Sequence, residues 1–263
     1  MSGWEYPSIA VCVHAIACTI LFPGLVMTSK PDHQLPKTRA GEPRAFFGRR
    51  SGKKLHGGQQ AIFDATLPDL EIKVDGKLDP RSLFPDADKL IVEIGYGGGE
   101  HLALEAGRHP NTGYIGCEVF TGGIGKMVQT IAAEQLGNIR LFTDDALKLL
   151  VELPDASLDE VYLLYPDPWP KTRHHKRRFV SPTTLAELAR VIRPGGKFHF
   201  ASDIEDYANW TLAHILRAPL FSFDSKVPGD WHTPYPGWEA TRYEQKARRE
   251  GRMISFYFSF TRV

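Results

Sequence analysis

Cysteine is scarce in this chain of 263 residues: Cys12, Cys18 and Cys117 are the only three. Three thiols so placed make no disulfide framework, and none stands at the spacing of a metal-ligand cluster. No metal is expected, and a reducing, cytoplasmic setting fits. Cys117 lies inside an apolar run and is expected to be a small buried hydrophobe. An excess of one charge is missing too, since 32 Lys and Arg against 31 Asp and Glu leave a net charge of +1. Bulk charge therefore says nothing about a polyanionic partner. No repeat or low-complexity tract is present. There is one long apolar run, residues 9–27, about the roughly 20 residues that a bilayer span needs. His14 lies within it, Pro23-Gly24 interrupts it, and Glu5 is the only charged side chain before Lys30. A signal peptide would open on positive charge instead. We expect residues 1–26 to be an apolar extension outside the working protein, with translation starting at Met27; a peripheral apolar helix or a leader or anchor are the alternatives. No membrane association is expected.

What the chain does have is segregated charge. Residues 30–54 carry eight Lys and Arg against Asp32 and Glu42, and residues 171–178 hold five cations and no acid. Such clustering is what an electrostatic footprint for phosphates requires. The stretch 27–57 reads as a mobile basic arm with an aromatic anchor at Phe46-Phe47. Residues 58–263, in a chain that is 42% hydrophobic, can bury a substantial core. From residue 88 on, short apolar runs (90–94, 114–119, 139–142, 161–165 and 197–201) alternate with amphipathic segments. Ile124, Met127, Val128, Ile131 and Leu136 recur at helical spacing, and Gly137 is expected to end that helix. Ser181 and Pro182 open another. Strand–helix alternation gives right-handed crossovers and a parallel sheet. Residues 254–261 alternate aromatic and polar side chains as a final antiparallel strand would. The fold class is a doubly wound, Rossmann-like α/β domain, mostly parallel with an antiparallel C-terminal strand.

The most informative stretch is residues 165–178, Tyr-Pro-Asp-Pro-Trp-Pro-Lys-Thr-Arg-His-His-Lys-Arg-Arg. It sets Asp167 between two prolines and beside Trp169. Because proline restricts the residue before it, Tyr165, Asp167 and Trp169 are expected to be extended. A rigid acid and an aromatic running into a basic strip suit an enzyme that acts on a base within a polyanion.

A second constellation begins at the first strand, Val92-Glu93-Ile94-Gly95-Tyr96-Gly97-Gly98-Gly99-Glu100. Glycines at a strand end let the backbone pass close to a ligand. The third glycine of a dinucleotide fingerprint is replaced by Glu100, and Glu93 would repel a diphosphate. A ligand carrying a sulfonium and an ammonium would favour that acid. Glu118 ends the second strand, where an acid can take both ribose hydroxyls. Asp145, after the third, could accept from an adenine amino group.

Together these residues resemble the bacterial tRNA (guanine-N7-)-methyltransferases, over roughly residues 44–263. The resemblance rests on Glu93-Ile94-Gly95-x-Gly97-x-Gly99, Ile115-Gly116-x-Glu118-Val119, Asp145-Ala146 and Pro166-Asp167-Pro168-Trp169-Pro170-Lys171. Further matches are Lys176-Arg177-Arg178, Arg193-Pro194-Gly195-Gly196, Ala201-Ser202-Asp203 and Thr241-Arg242-Tyr243-Glu244. It implies a class I methyltransferase moving a methyl group from S-adenosyl-L-methionine to N7 of guanine 46 in the tRNA variable loop. Glu93, Gly95, Gly97, Glu118, Asp145 and Asp167 would then bind the cofactor, with Asp167 also the catalytic candidate. Lys171, Asp203, Thr241, Arg242, Tyr243 and Glu244 would contact the substrate. Arg173, His174, His175, Lys176, Arg177 and Arg178 would hold the tRNA, and the enzyme would work as a monomer or homodimer.

Bland readings stand beside these. Asp203 could cap a helix, Thr241 and Glu244 could be a capping box, and Trp169 could merely pack under the sheet. The rival functions are a non-catalytic tRNA-binding protein that keeps the fold, a nicotinamide-dependent oxidoreductase and an amino-group methyltransferase. Intact acids, the missing third glycine and the displaced Pro168-Trp169 argue against them in turn.

Overall fold

The computed structural model describes residues 36–263, apart from Arg39, Lys53 and Lys226. The apolar run, Cys12, Cys18 and the expected start at Met27 lie outside the described residues. Five apolar runs become parallel strands: β1 (Lys89–Ile94), β2 (Thr112–Cys117), β3 (Ile139–Phe142), β4 (Leu158–Leu164) and β5 (Ile192–Ser202). Two further strands, β6 (Phe221–Phe223) and β7 (Phe256–Arg262), complete a seven-stranded sheet of order β3-β2-β1-β4-β5-β7-β6. β7 runs antiparallel to both β5 and β6. The antiparallel end is thus two strands wide, where the sequence pointed to one; β6 is too short to show a period.

The chain order makes β1 the switch point: the path leaves it toward β2 and β3 and returns to β4 on its other side. Such a reversal opens a crevice at the carboxyl ends of the strands, where ligands bind in open α/β sheets. Helices cover both faces. Leu90, Val92 and Ile94 of β1 join a core with α4 (Ala146–Glu152), α5 (Pro182–Val191) and α6 (Glu205–Arg217). Ile91 faces the other way, toward α1 (Gly57–Leu70), α2 (Glu100–Arg108) and α3 (Thr121–Glu134). That parity, set by the two-residue period of a strand, decides below where Glu93 can point.

Local signals mostly work as expected. Ser181 caps α5 by accepting from Thr184 N at 3.2 Å, with Pro182 in the first turn. α3, however, ends before Gly137: Gln135 takes the left-handed conformation at φ 56° and closes the helix itself. Phe198 and Phe200 of β5 stack on Phe260 and Phe258 of β7 at 5.8 and 5.9 Å. All four are fully buried, so truncating Phe258 to Ala should cost about 3–5 kcal/mol. Cys117 is buried as expected, and burial pushes its thiol pKa well up. Among the described residues no helix is long and apolar enough to cross a membrane.

Candidate active site

A cavity of about 1020 Å³ opens over the carboxyl ends of β1 to β4. Each strand end supplies a part of its wall. Gly95 and Gly97 come from the turn after β1, Glu118 follows β2, Asp145 follows β3, and Asp167 follows β4. Gly97 has φ +59°, and a Cβ there would come within 3.0 Å of the Tyr243 ring. The N-terminus of α3 crosses just as closely, since a Cβ at Gly123 would stand 2.2 Å from Gly97 O. Only glycine permits both approaches.

The carboxylates differ in how they are held. Glu118 accepts from three backbone N–H groups, Gly97 at 2.9 Å, Val119 at 2.7 Å and Phe120 at 2.9 Å. Burial pushes its pKa up, and those N–H groups oppose the rise. Asp145 also accepts from three: Leu147 at 3.0 Å, where it caps α4, and Ala45 and Phe46 at 2.7 Å each. A carboxylate offers about four acceptor positions, so each acid keeps roughly one for a ligand. Asp167 is different. No hydrogen bond or ion pair engages its carboxylate among the described residues; the residue is exposed at the cavity edge, and desolvation by the surrounding protein raises its pKa.

The arm does more than the sequence led us to expect. Residues 45–49 and 54–56 of its described part line the cavity, with Phe46, Phe47 and Arg49 in the wall. Arg50 pairs with Asp144 at 2.6 Å, and its carbonyl accepts from Thr121 N at 3.0 Å. A Cβ on Gly48 would stand 3.3 Å from Asp167 Oδ2, so the arm spans from Asp145 to Asp167.

Four expectations need correction. Glu93 does not reach the cavity; β1 turns its side chain to the opposite face from Ile94, where it meets His101 Nδ1 at 2.7 Å. Tyr165 and Trp169 are left-handed, at φ 49° and 44°, not extended. A following proline disfavours the right-handed helical region but leaves the left-handed one accessible at a cost. Arg178 faces inward with a fully buried side chain; it donates to Pro168 O at 2.9 Å and pairs with Asp206. Its guanidinium also lies over Tyr207 and Trp210, at 4.9 and 5.1 Å. It therefore anchors the Pro-Asp-Pro-Trp loop to α6 and cannot contact a phosphate. Glu244 is buried as well, accepting from Trp238 Nε1 at 2.9 Å and Arg248 Nη2 at 2.5 Å, and stays outside the cavity.

The other expected residues fall into two groups. Arg242 and Tyr243, at the start of α7 (Arg242–Arg249), line the cavity, and so does Arg177, stacked on Trp169 at 4.8 Å. Trp169 is itself a wall residue. Lys171, Arg173 and Lys176 are exposed outside it. His174 meets Trp169 edge-on at 5.9 Å, and His175 sits against Trp210 at 5.4 Å. Both have lowered pKa values, through desolvation first and then the neighbouring cations. Thr241 caps α7 by accepting from Glu244 N at 3.1 Å; the reciprocal half of a capping box is not made. Asp203 caps nothing and pairs with Arg252, while Ser202 Oγ accepts from Ile204 N at 3.1 Å.

A doubly wound sheet with its cavity at the switch point, a glycine turn and acids at successive strand ends is the arrangement of class I methyltransferases. Two solved structures share the fold. One is titled an antibiotic-related methyltransferase (TM-score 0.54, 19% identity, covering 73% of this chain and 97% of that one). The other is the 16S rRNA methyltransferase KamB (TM-score 0.51, 17% identity, covering 72% and 96%). The family described as "Putative methyltransferase" matches residues 87–257. A relative in Brucella anthropi named tRNA (guanine-N(7)-)-methyltransferase is 51% identical over 220 residues, 82% of this chain and 94% of its own length. One of the same name in Agrobacterium fabrum is 50% identical over 230 residues, 86% and 97% of the two chains. The chain belongs to the tRNA (guanine-N(7)-)-methyltransferase family.

Proposed function

We propose that the protein transfers a methyl group from S-adenosyl-L-methionine to N7 of guanine 46 in the variable loop of tRNA. The observation that carries this reading is the carboxylate of Asp167, unpartnered among the described residues. It is held between left-handed Tyr165 and Trp169 at the cavity edge, where the exposed cations Lys171, Arg173 and Lys176 begin. The residues suit a cationic cofactor: Gly95 and Gly97 let it lie along the turn, Glu118 and Asp145 each keep acceptor capacity, and Asp167 has no counter-ion among the described residues. When bound, that cofactor supplies a methyl group on a positively charged sulfur.

Guanine N7 carries an in-plane lone pair and no proton, so the enzyme needs no base to remove one. The protein's work is alignment and electrostatics. The N7/O6 edge of guanine offers only acceptors. Asp167 therefore turns away from that edge, taking the ring N–H and amino donors of the opposite edge or facing the cationic centre. In the first arrangement it pushes electron density toward N7; in the second it stabilises the positively charged product ring. Tyr243 and Arg242 close the side of the cavity facing the base, and Lys171, Arg173 and Lys176 receive the phosphates.

Nucleoside analysis of tRNA from a strain lacking the protein tests this. We expect 7-methylguanosine to vanish, and borohydride–aniline cleavage mapping to place the loss at position 46. Undiminished 7-methylguanosine would refute the activity, and loss at another position would refute the site.

A further inference from the structure

On the face of β1 away from the cavity lies a second buried polar cluster. Glu93 and His101 are each 5% exposed at the side chain, and their ion pair is 2.7 Å long. The other ring nitrogen of His101 meets the hydroxyl of Tyr235 at 2.5 Å. Tyr235 and His101 both pack on Trp238, at 5.2 and 5.3 Å. Trp238 in turn donates to Glu244, the buried acid in the first turn of α7. The neighbouring residue in that turn is Tyr243, whose ring lies against Gly97 in the cavity wall. α2 grips the same loop at its far end, where Arg108 donates to Gly237 O at 2.5 Å and pairs with Glu239 at 2.7 Å.

The circuit is closed. It starts at the end of β1, two residues before the glycine turn, and returns to that turn from above through Tyr243. Apolar side chains could fill this space without the desolvation cost of an acid and an imidazole. A buried ionic network is a weak source of stability, but its directed hydrogen bonds fix geometry. Glu93 thus has a use that its absence from the cavity left open.

We propose that Glu93, His101, Tyr235 and Trp238 form a clasp that sets α7 over the glycine turn, with His101 as the positioning residue for methyl transfer. The inference rests on the reading that Tyr243 faces the RNA base. No side chain of the clasp lines the cavity over the glycine turn. Its effect passes through Glu244 to Tyr243 and fixes how closely base and cofactor are aligned.

The test uses the full chain, radiolabelled S-adenosyl-L-methionine and tRNA, with single-turnover rates at saturation, cofactor affinity and Tm for each variant. Tyr235→Phe removes one hydroxyl and keeps the packed ring. It should lower the rate about 10-fold, in line with the cost of a small misalignment, and leave cofactor Kd within about twofold. His101→Gln, which can still hydrogen bond, should retain more activity than His101→Ala. Tyr243→Ala should also slow the reaction, and adding Tyr235→Phe to it should slow it no further, because both act through one contact. A lower Tm with an unchanged rate in Tyr235→Phe and in His101→Gln would reduce the cluster to a structural part and overturn the proposal. Equal slowing by Tyr235→Phe with and without Tyr243 would also overturn it, by showing another route. A full-rate Tyr243→Ala would instead remove the reading of α7, and the clasp with it.

Discussion

The cavity has two sides built on opposite principles. On the side of β2 and β3, Glu118 and Asp145 are each held by three backbone N–H groups and have nearly fixed positions. On the side of β4, Asp167 has no partner among the described residues, and the backbone around it is strained. The first side spends its hydrogen bonds within the protein, so a ligand meets a preformed wall. The second keeps its carboxylate uncommitted, which on the proposed function leaves it free for the substrate. Groups that interact more strongly in the transition state than in the free enzyme are the ones that accelerate chemistry. On the proposed function, the contrast gives recognition to one side and rate to the other.

The largest expected effect is at Asp167. Asp167→Asn keeps the shape and one acceptor but loses the charge. Its single-turnover rate should fall on the order of 10²-fold or more, with tRNA affinity nearly unchanged. Rapid-quench assays from about pH 6 to pH 9 should show no ascending base limb in the wild type. A tenfold rise per pH unit that disappears in the variant would make Asp167 a proton acceptor and break the comparison.

At Asp145 the pattern should reverse. Asp145→Ala removes the cap of α4 and the docking point of the arm, leaving the N–H groups of Ala45 and Phe46 without their acceptor. Cofactor Kd, measured by equilibrium dialysis, should rise about 10-fold. The rate at saturating cofactor should change less than in Asp167→Asn, and limited proteolysis should cut the arm faster.

The basic strip sharpens the contrast from outside the cavity. Replacing Arg173 and Lys176 together by Ala should weaken tRNA binding and flatten the slope of log K against log salt by roughly 1.4–1.8. Arg178→Ala should leave that slope alone and lower Tm, because its guanidinium is bonded inside the protein.

The smallest effect concerns stability. Burial raises the pKa of Asp167, so the folded protein binds its proton more tightly than the unfolded chain does. The acid form is favoured below the ordinary value of 3.8, and stability is lost as pH rises through the higher folded value. Asp167→Asn should therefore raise Tm slightly at pH 7, with the gain fading as pH falls toward the ordinary value. A Tm gain that grows on acidification would contradict burial as the cause of the raised pKa.

Much of this was legible in one dimension. Strand–helix alternation led to the sheet, and the glycine turn with its strand-end acids led to the cavity. What failed was direction. Glu93 sits at the right distance from Gly95, but a strand alternates its faces, and parity with Ile94 sends it to the far side. Arg178 ends a run that looks uniformly basic. The 3₁₀ helix Thr172–Arg177 repeats every three residues, so His175 and Arg178 turn inward together toward Asp206 and Trp210. The prolines around Asp167 disfavour the right-handed helical region without enforcing extension, and Tyr165 and Trp169 take the left-handed one.

The arm meets Asp145 through the main-chain N–H groups of Ala45 and Phe46. A main-chain contact is indifferent to which side chain stands at either position. Mutation can therefore drift across the arm, altering its charge and its aromatics, while the point of attachment persists. Proline is the exception, since it has no N–H to give. Through this attachment, side chains on the arm can change while its main chain stays docked on Asp145.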